Sequence, residues 1–215
     1  MRRCAGWRHG LPDAVDLETL ANKLVALPPG RRLIAVAGPP AAGKSTVTEP
    51  LAEAIVRRGR TAQVVPMDGF HLDNATLDDL GLRARKGAPE TFDVPGLLAL
   101  VRAARANGSP IFPTFDRAAD ATVPDSGRLT AEITIFEGNY LLLDEDPWRE
   151  LHPLWDATVA LQVPEAVLRA RLVERWVAHG LSPEDALARA EGNDLPNARR
   201  VLTGSITADH AVATG

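Results

Sequence analysis

The chain has 215 residues, 45% of them hydrophobic, enough to bury a sizeable core and, at this length, one domain. A formal net charge of -4 excludes the broad basic face of a general nucleic-acid-binding protein, so any anion site must be local. Cys4 is the one cysteine, which rules out an internal disulfide and a cysteine-based zinc site and fits a reducing cytoplasm.

The basic start MRRCAGWRHG leads into an acidic amphipathic pattern rather than an unbroken apolar stretch, so no signal peptide is expected. No run is long and apolar enough to span a bilayer. Asp13 or Asp16 caps a helix through about Leu27, with Val15, Leu17, Leu20 and Leu24 at helical spacing and Pro28-Pro29-Gly30 as its stop. Leu33 to Ala37 is a short apolar run of the kind buried on both faces of a parallel sheet. A glycine-bounded loop follows, then a helix from Lys44 to about Arg57 in which Pro50 should kink or loosen the first turns. Ala62 to Met67 forms a second strand that ends at an acid. From Asn74 to Gly127 the chain reads as mostly loop, with one clear helix in VPGLLALVRAARANG. AEITIFEGNYLLL and DATVALQV supply further strands. Leu168 to His179, SPEDALARAEG and Pro196 to about Leu202 are helices, and SITADHAV holds a last short strand. Strands alternating with helices predict an α/β fold with a parallel central sheet.

GPPAAGKST, residues 38–46, satisfies the P-loop pattern G-x-x-x-x-G-K-[ST] between a strand and a helix, the context its mechanism demands. Gly38, Ala41, Ala42, Gly43, Lys44, Ser45 and Thr46 are the candidate nucleotide-binding residues. Glycines let successive backbone N–H groups face phosphate oxygens, and the helix N-terminus adds partial positive charge. Lys44 would neutralise the β and γ phosphates of ATP, and the Ser45 hydroxyl would bind Mg²⁺. Phosphoryl transfer to an alcohol also needs a base for the hydroxyl and an acid near Mg²⁺, and a parallel sheet supplies such groups at the carboxyl ends of its strands. Asp68 and Glu137 stand at two such ends; the competing reading makes each a turn or helix cap.

GPPAAGKST, PMDGFHLDN, RKGAPETFD, PTFDR and IFEGNYLLL, in this order, resemble the P-loop small-molecule kinases that include uridine kinase, phosphoribulokinase and bacterial pantothenate kinase. Among these the likeness extends to the bacterial branch described as nucleoside/nucleotide kinase-like or "fructose transport system kinase" proteins. It covers roughly residues 30 to 212. The resemblance implies a P-loop NTPase three-layer sandwich with a helical lid, an acceptor-binding segment over about 69–130 and a lid over about 165–180. It implies an ATP-dependent phosphotransferase acting on an alcohol group, with Asp68 facing the acceptor hydroxyl and Glu137 in the place of a Walker B aspartate. Arg85, Lys86 and Phe115 would lie along the acceptor pocket, with Tyr140 on the same side. Phe92 and Phe115 could instead be core, and Arg85 and Lys86 solvated charges. His71 either contacts the acceptor, orders Asp68, or is an isolated surface histidine.

Arg171 and Arg175, four apart on one helix face, resemble the lid arginines that close over the transferring phosphoryl group. The competing reading is a solvated face paired with Glu165 and Glu174. Trp155 and Trp176 read as core anchors. GNDLPNARRV resembles the region beside the adenine, although Asn193, Asp194 and Asn197 could equally cap the helix that begins at Pro196. A phosphorylated acceptor would call on Arg85, Lys86 and Arg117. The acceptor itself stays open among sugars, nucleosides and pantothenate-like molecules. The expected partner is a small molecule, with neither nucleic acid nor membrane, and a homodimer is compatible. The alternative functions are a regulatory ATPase or a pseudoenzyme; no Asn-Lys-x-Asp guanine motif and no LSGGQ-like signature occurs in the chain.

Overall fold

The structure is a computed structural model that describes residues 11–215; Cys4 and the basic start lie outside the described residues. In chain order the elements are α1 (Leu17–Val25), β1 (Arg32–Ala37), α2 (Lys44–Arg57), β2 (Ala62–Pro66), α3 (Asn74–Asp79), α4 (Val94–Arg105), β3 (Ile111–Asp116) and β4 (Ala121–Arg128). They continue with β5 (Ile133–Gly138), β6 (Ala157–Gln162), α5 (Glu165–Ala178), α6 (Pro183–Arg189), α7 (Leu195–Gly204) and β7 (His210–Ala213). Five strands form a parallel sheet in the order β2-β5-β1-β6-β7.

The sheet is buried on both faces, as the apolar run at Leu33 to Ala37 predicts. On one face Leu33, Ala35, Phe136 and Ala160 pack with Leu97 and Val101 of α4 and with Trp148 and Trp155. On the other, Ile34, Val36, Ile135 and Val159 pack with Leu20 and Leu24 of α1, Leu51 and Ile55 of α2, and Leu202 of α7. The alternation of Leu33/Ala35 with Ile34/Val36 between the two clusters is the period of two that a strand imposes. Two helical layers enclosing one parallel sheet make the three-layer sandwich.

The Asp16 side chain accepts from the Thr19 N–H and so caps α1. Helix α2 runs unbroken from Lys44 to Arg57 with Pro50 on its exposed side. The stretch expected to be mostly loop is more ordered than that: β3 and β4 pair as an antiparallel two-stranded sheet apart from the main one. Pro113 and Pro124 interrupt its ladder, its register shifts between Phe112 and Thr114, and most of β4 is exposed, so it carries no clean hydrophobic alternation. Between α6 and α7 the backbone makes a wide π-helical turn, Ala190–Asp194, instead of starting a fresh capped helix. Asp194 is helical and its side chain caps nothing, which corrects the capping reading.

Candidate active site

Strand β1 ends against the loop of residues 38–43, which turns into α2 at Gly43. Gly43 holds φ +82°, a left-handed conformation that glycine adopts without strain, whereas Ala41 holds φ +62° at the steric cost of a Cβ. Gly38 sits in a tight space: a Cβ there would press on Leu161 of β6 at 3.0 Å. The Lys44 ammonium donates to Asn139 Oδ1 at 2.6 Å and to the Gly38 and Pro39 carbonyls at 3.2 Å each. Its pKa is lowered by burial, with the charges of Glu137 and Asp68 acting in the opposite direction.

Strand β5 lies between β1 and β2, so its end delivers Glu137 beside the loop. The Ser45 hydroxyl donates to Glu137 Oε1 at 3.0 Å, while Oε2 is buried without a hydrogen-bond partner among the described residues. Glu137 is only 8% exposed, and burial raises its pKa despite Lys44 and Ser45. Strand β2 stops at Pro66, and one 3-10 turn, Met67–Phe70, presents Asp68. Gly69 in that turn has to be glycine: a Cβ would lie 2.1 Å from the Pro113 carbonyl oxygen of β3. This close approach seats the β3–β4 hairpin over Asp68, and Arg117 from the hairpin tip pairs with the Asp68 carboxylate at 2.8 Å.

Lys44, Ser45, Asp68 and Glu137 share a cleft of about 580 Å³ with His71, Lys86, Phe92, Phe115, Arg117 and Arg175. The His71 ring stacks near Phe92 and Phe115 at centroid distances of 4.1 and 4.9 Å, and its Nδ1 lies 3.0 Å from the Asp68 carbonyl. It is therefore not an isolated surface histidine, and burial lowers its pKa. Phe92 is both core and cleft wall. Lys86 pairs with Asp120 at 2.8 Å and lies 5.1 Å from the Phe115 ring centroid.

Three residues sit differently from the sequence expectation. Arg85 is outside the cleft, exposed and paired with Glu90 at 2.8 Å, while its neighbour Arg83 lines the wall. Tyr140 is fully buried behind the cleft, where its hydroxyl donates to the Gly87 carbonyl at 2.6 Å and fixes the turn that carries Lys86; burial raises its pKa. Arg171 points at the P-loop backbone, donating to the Ala41 carbonyl at 3.5 Å, and does not line the cleft. Neither Arg171 nor Arg175 pairs with Glu165 or Glu174; Glu165 holds Arg199 instead, at 2.6 Å.

Sequence reasoning missed Arg83, Asp120, Asn139 and Arg189, all of which line the cleft, and read Trp176 as core. Trp155 is core, but Trp176 is half-buried in the cleft wall with its indole N–H donating to Asp194 at 2.6 Å. Asn193 reaches the Lys86 carbonyl at 3.3 Å, so the π-helical turn touches the predicted acceptor segment. Asn139 was within reach of sequence reasoning, because it follows Glu137 at the same strand end. The others depend on how the hairpin and the π-helical turn dock, which no local pattern encodes.

A parallel sheet with a P-loop after β1, and acids at the ends of the two strands on its flank, defines a P-loop kinase. The chain belongs to the Phosphoribulokinase / Uridine kinase family, whose model matches residues 33–188. It is 40% identical over 192 residues to "Uncharacterized protein YggC" of Escherichia coli, covering 88% of this chain and 80% of that one. It is 36% identical over 212 residues to "Putative uridine kinase C227.14" of Schizosaccharomyces pombe, covering 92% and 90%. Among solved structures, a "putative fructose transport system kinase" from Silicibacter sp. TM1040 superposes with a TM-score of 0.88 at 45% identity, covering 92% of this chain and 99% of that one. No helix among the described residues is long and apolar enough to cross a membrane.

Proposed function

We propose that the chain transfers the γ-phosphoryl group of ATP to a hydroxyl of a small metabolite, with Asp68 as the base. The observation that carries this reading is the placement of Asp68 and Glu137 at the ends of adjacent strands, in one cleft with Lys44 and Ser45. The P-loop N–H groups, the α2 N-terminus and Lys44 would hold the phosphates. The Ser45 hydroxyl and Glu137 fit Mg²⁺, since Glu137 Oε2 is buried and lacks a partner. Among the described residues no group of three or more His, Cys, Asp or Glu forms a metal cage, as suits an ion that takes its other ligands from phosphates and water. When bound, such an ion neutralises charge on the phosphate oxygens.

Asp68 would orient the acceptor hydroxyl and accept its proton, and Arg175 on the lid would spread the charge of the moving phosphoryl group. Residues 69–130 would form the acceptor segment, with His71, Lys86, Phe92, Phe115 and Arg117 facing the molecule. The family and the relatives' names direct attention to nucleosides, sugars and pantothenate-like alcohols as acceptors. The test is ADP release from ATP·Mg²⁺ with each acceptor class added in turn. Release should depend on one class of acceptor. Full-rate hydrolysis without any acceptor would overturn the kinase reading in favour of a regulatory ATPase.

A further inference from the structure

The chain carries more acid than base, 28 Asp and Glu against 24 Lys and Arg, yet its cleft reverses that balance with six Lys or Arg against four Asp or Glu. The four guanidinium groups in the lining are not equivalent. Arg83 is engaged by Asp78 at 3.1 Å and Arg117 by Asp68 at 2.8 Å. Arg175 and Arg189 pair with no carboxylate among the described residues; both lie against the Trp176 ring, their guanidinium carbons 5.6 and 5.2 Å from its centroid. Trp176 is itself fixed by its hydrogen bond to Asp194, so the indole is an oriented platform for two arginines. The single Asp194 carboxylate offsets one of these charges at most.

The two arginines face different parts of the cleft. Arg175 lies one helical turn along α5 from Arg171, which donates to the Ala41 carbonyl of the P-loop, and so stands on the phosphate side. Arg189 donates one N–H to the Ala84 carbonyl at 3.0 Å, which places it on the turn of residues 83–87 that carries Lys86. One N–H spent on a backbone carbonyl leaves the rest of the fork available, and a planar fork held on an aromatic face is suited to a carboxylate or phosphate.

We propose that Arg189 is a specificity-determining residue that binds an oxyanion group of the acceptor, a carboxylate or a phosphate monoester, away from the hydroxyl that faces Asp68. The inference rests on the kinase reading above and narrows its acceptor to an anionic alcohol.

The experiment measures ADP release from ATP·Mg²⁺ with matched neutral and anionic alcohols: glycerol against glycerate and glycerol 3-phosphate, ribose against ribose 5-phosphate, panthenol against pantothenate. The carboxylate and phosphate arms separate the two sources of negative charge. The anionic member of at least one pair should support turnover that its neutral partner does not. Arg189→Ala should raise KM for that acceptor about 10- to 100-fold, the range for losing a charge-assisted hydrogen bond, with KM for ATP changed less than about two-fold. Arg189→Lys, which keeps the charge but not the fork, should recover part of the loss and guards against a folding defect in the alanine variant. A neutral alcohol turned over as well as its anionic partner, or an acceptor KM unmoved in Arg189→Ala, overturns the assignment to Arg189 while leaving the kinase reading intact. No stimulation by any compound, with full hydrolysis in its place, overturns the kinase reading itself.

Discussion

Asp68→Asn separates a catalytic base from a turn residue, because the substitution keeps size and shape and removes only the proton acceptor. The cost to folding is small. The one ion pair lost is to Arg117, whose side chain is 67% exposed against 31% for Asp68, and a pair so open to solvent contributes about 0–1 kcal/mol. For a chain of this length that shifts the melting temperature by roughly 2–4 °C at most. The cost to chemistry is much larger, since a positioned general base contributes about 10²- to 10⁴-fold, or about 3–5 kcal/mol of barrier. ATP affinity should stay within about three-fold, because Asp68 makes no hydrogen bond to Lys44, whose ammonium is held by Asn139 and the Gly38 and Pro39 carbonyls. The assay is steady-state ADP release with a productive acceptor, alongside nucleotide titration and thermal melts of the same preparation. A kcat within about five-fold of wild type, at unchanged melting temperature, would refute the base and leave Asp68 as a turn residue held by Arg117.

Lys44→Ala should weaken ATP binding by about 10- to 100-fold as well as lowering kcat, since a charge-assisted contact to phosphate contributes about 1.5–3 kcal/mol; unchanged affinity by calorimetry would remove Lys44 from the phosphate site. Glu137→Gln should raise the Mg²⁺ concentration needed for half-maximal turnover, and melts in chelator should show a second effect. The folded Glu137 pKa lies above its ordinary value through burial, so the wild type binds more protons folded than unfolded and loses stability as pH rises through the folded pKa. The melting temperature of Glu137→Gln relative to wild type should therefore climb from pH 4.5 upward, and a flat difference would contradict the buried, unpartnered Oε2. Gly69→Ala should cost about 1–3 kcal/mol by forcing the hairpin off the Asp68 turn, and should raise KM for the acceptor more than KM for ATP; equal effects on both would detach the hairpin from acceptor binding.

The parts legible in the sequence are those in which a local pattern is itself the mechanism. The P-loop needs Gly43 for its backbone, Lys44 for charge and Ser45 for its hydroxyl, and all three are contiguous. Asp68 and Glu137 were legible because each stands at the carboxyl end of a recognisable strand pattern, Glu137 within β5 and Asp68 in the turn just after β2. The hairpin was not, because Pro113, Pro124 and an exposed β4 blur the alternation that marks strands. Its presence is nonetheless recorded indirectly at Gly69, a glycine whose φ is ordinary and whose reason lies entirely in the Pro113 carbonyl across from it.

The α5 side of the cleft makes the same point from the other direction. Trp176 on α5 has apolar neighbours at helical spacing, which is why it reads as core. It reaches the cleft because Asp194, 18 residues later, is carried back to it by a π-helical turn between two helices. A capped break at Asp194 would have ended one helix and started another; the continuous turn instead keeps Arg189, Asn193 and Asp194 on one wall, two of them reaching the 83–87 turn. The P-loop end of the cleft is thus written in adjacent residues, whereas the opposite wall is assembled from α6, the π-helical turn, the 83–87 turn and the hairpin. Under the kinase reading proposed above, substrate choice would follow how those four pieces dock, independently of the nucleotide loop.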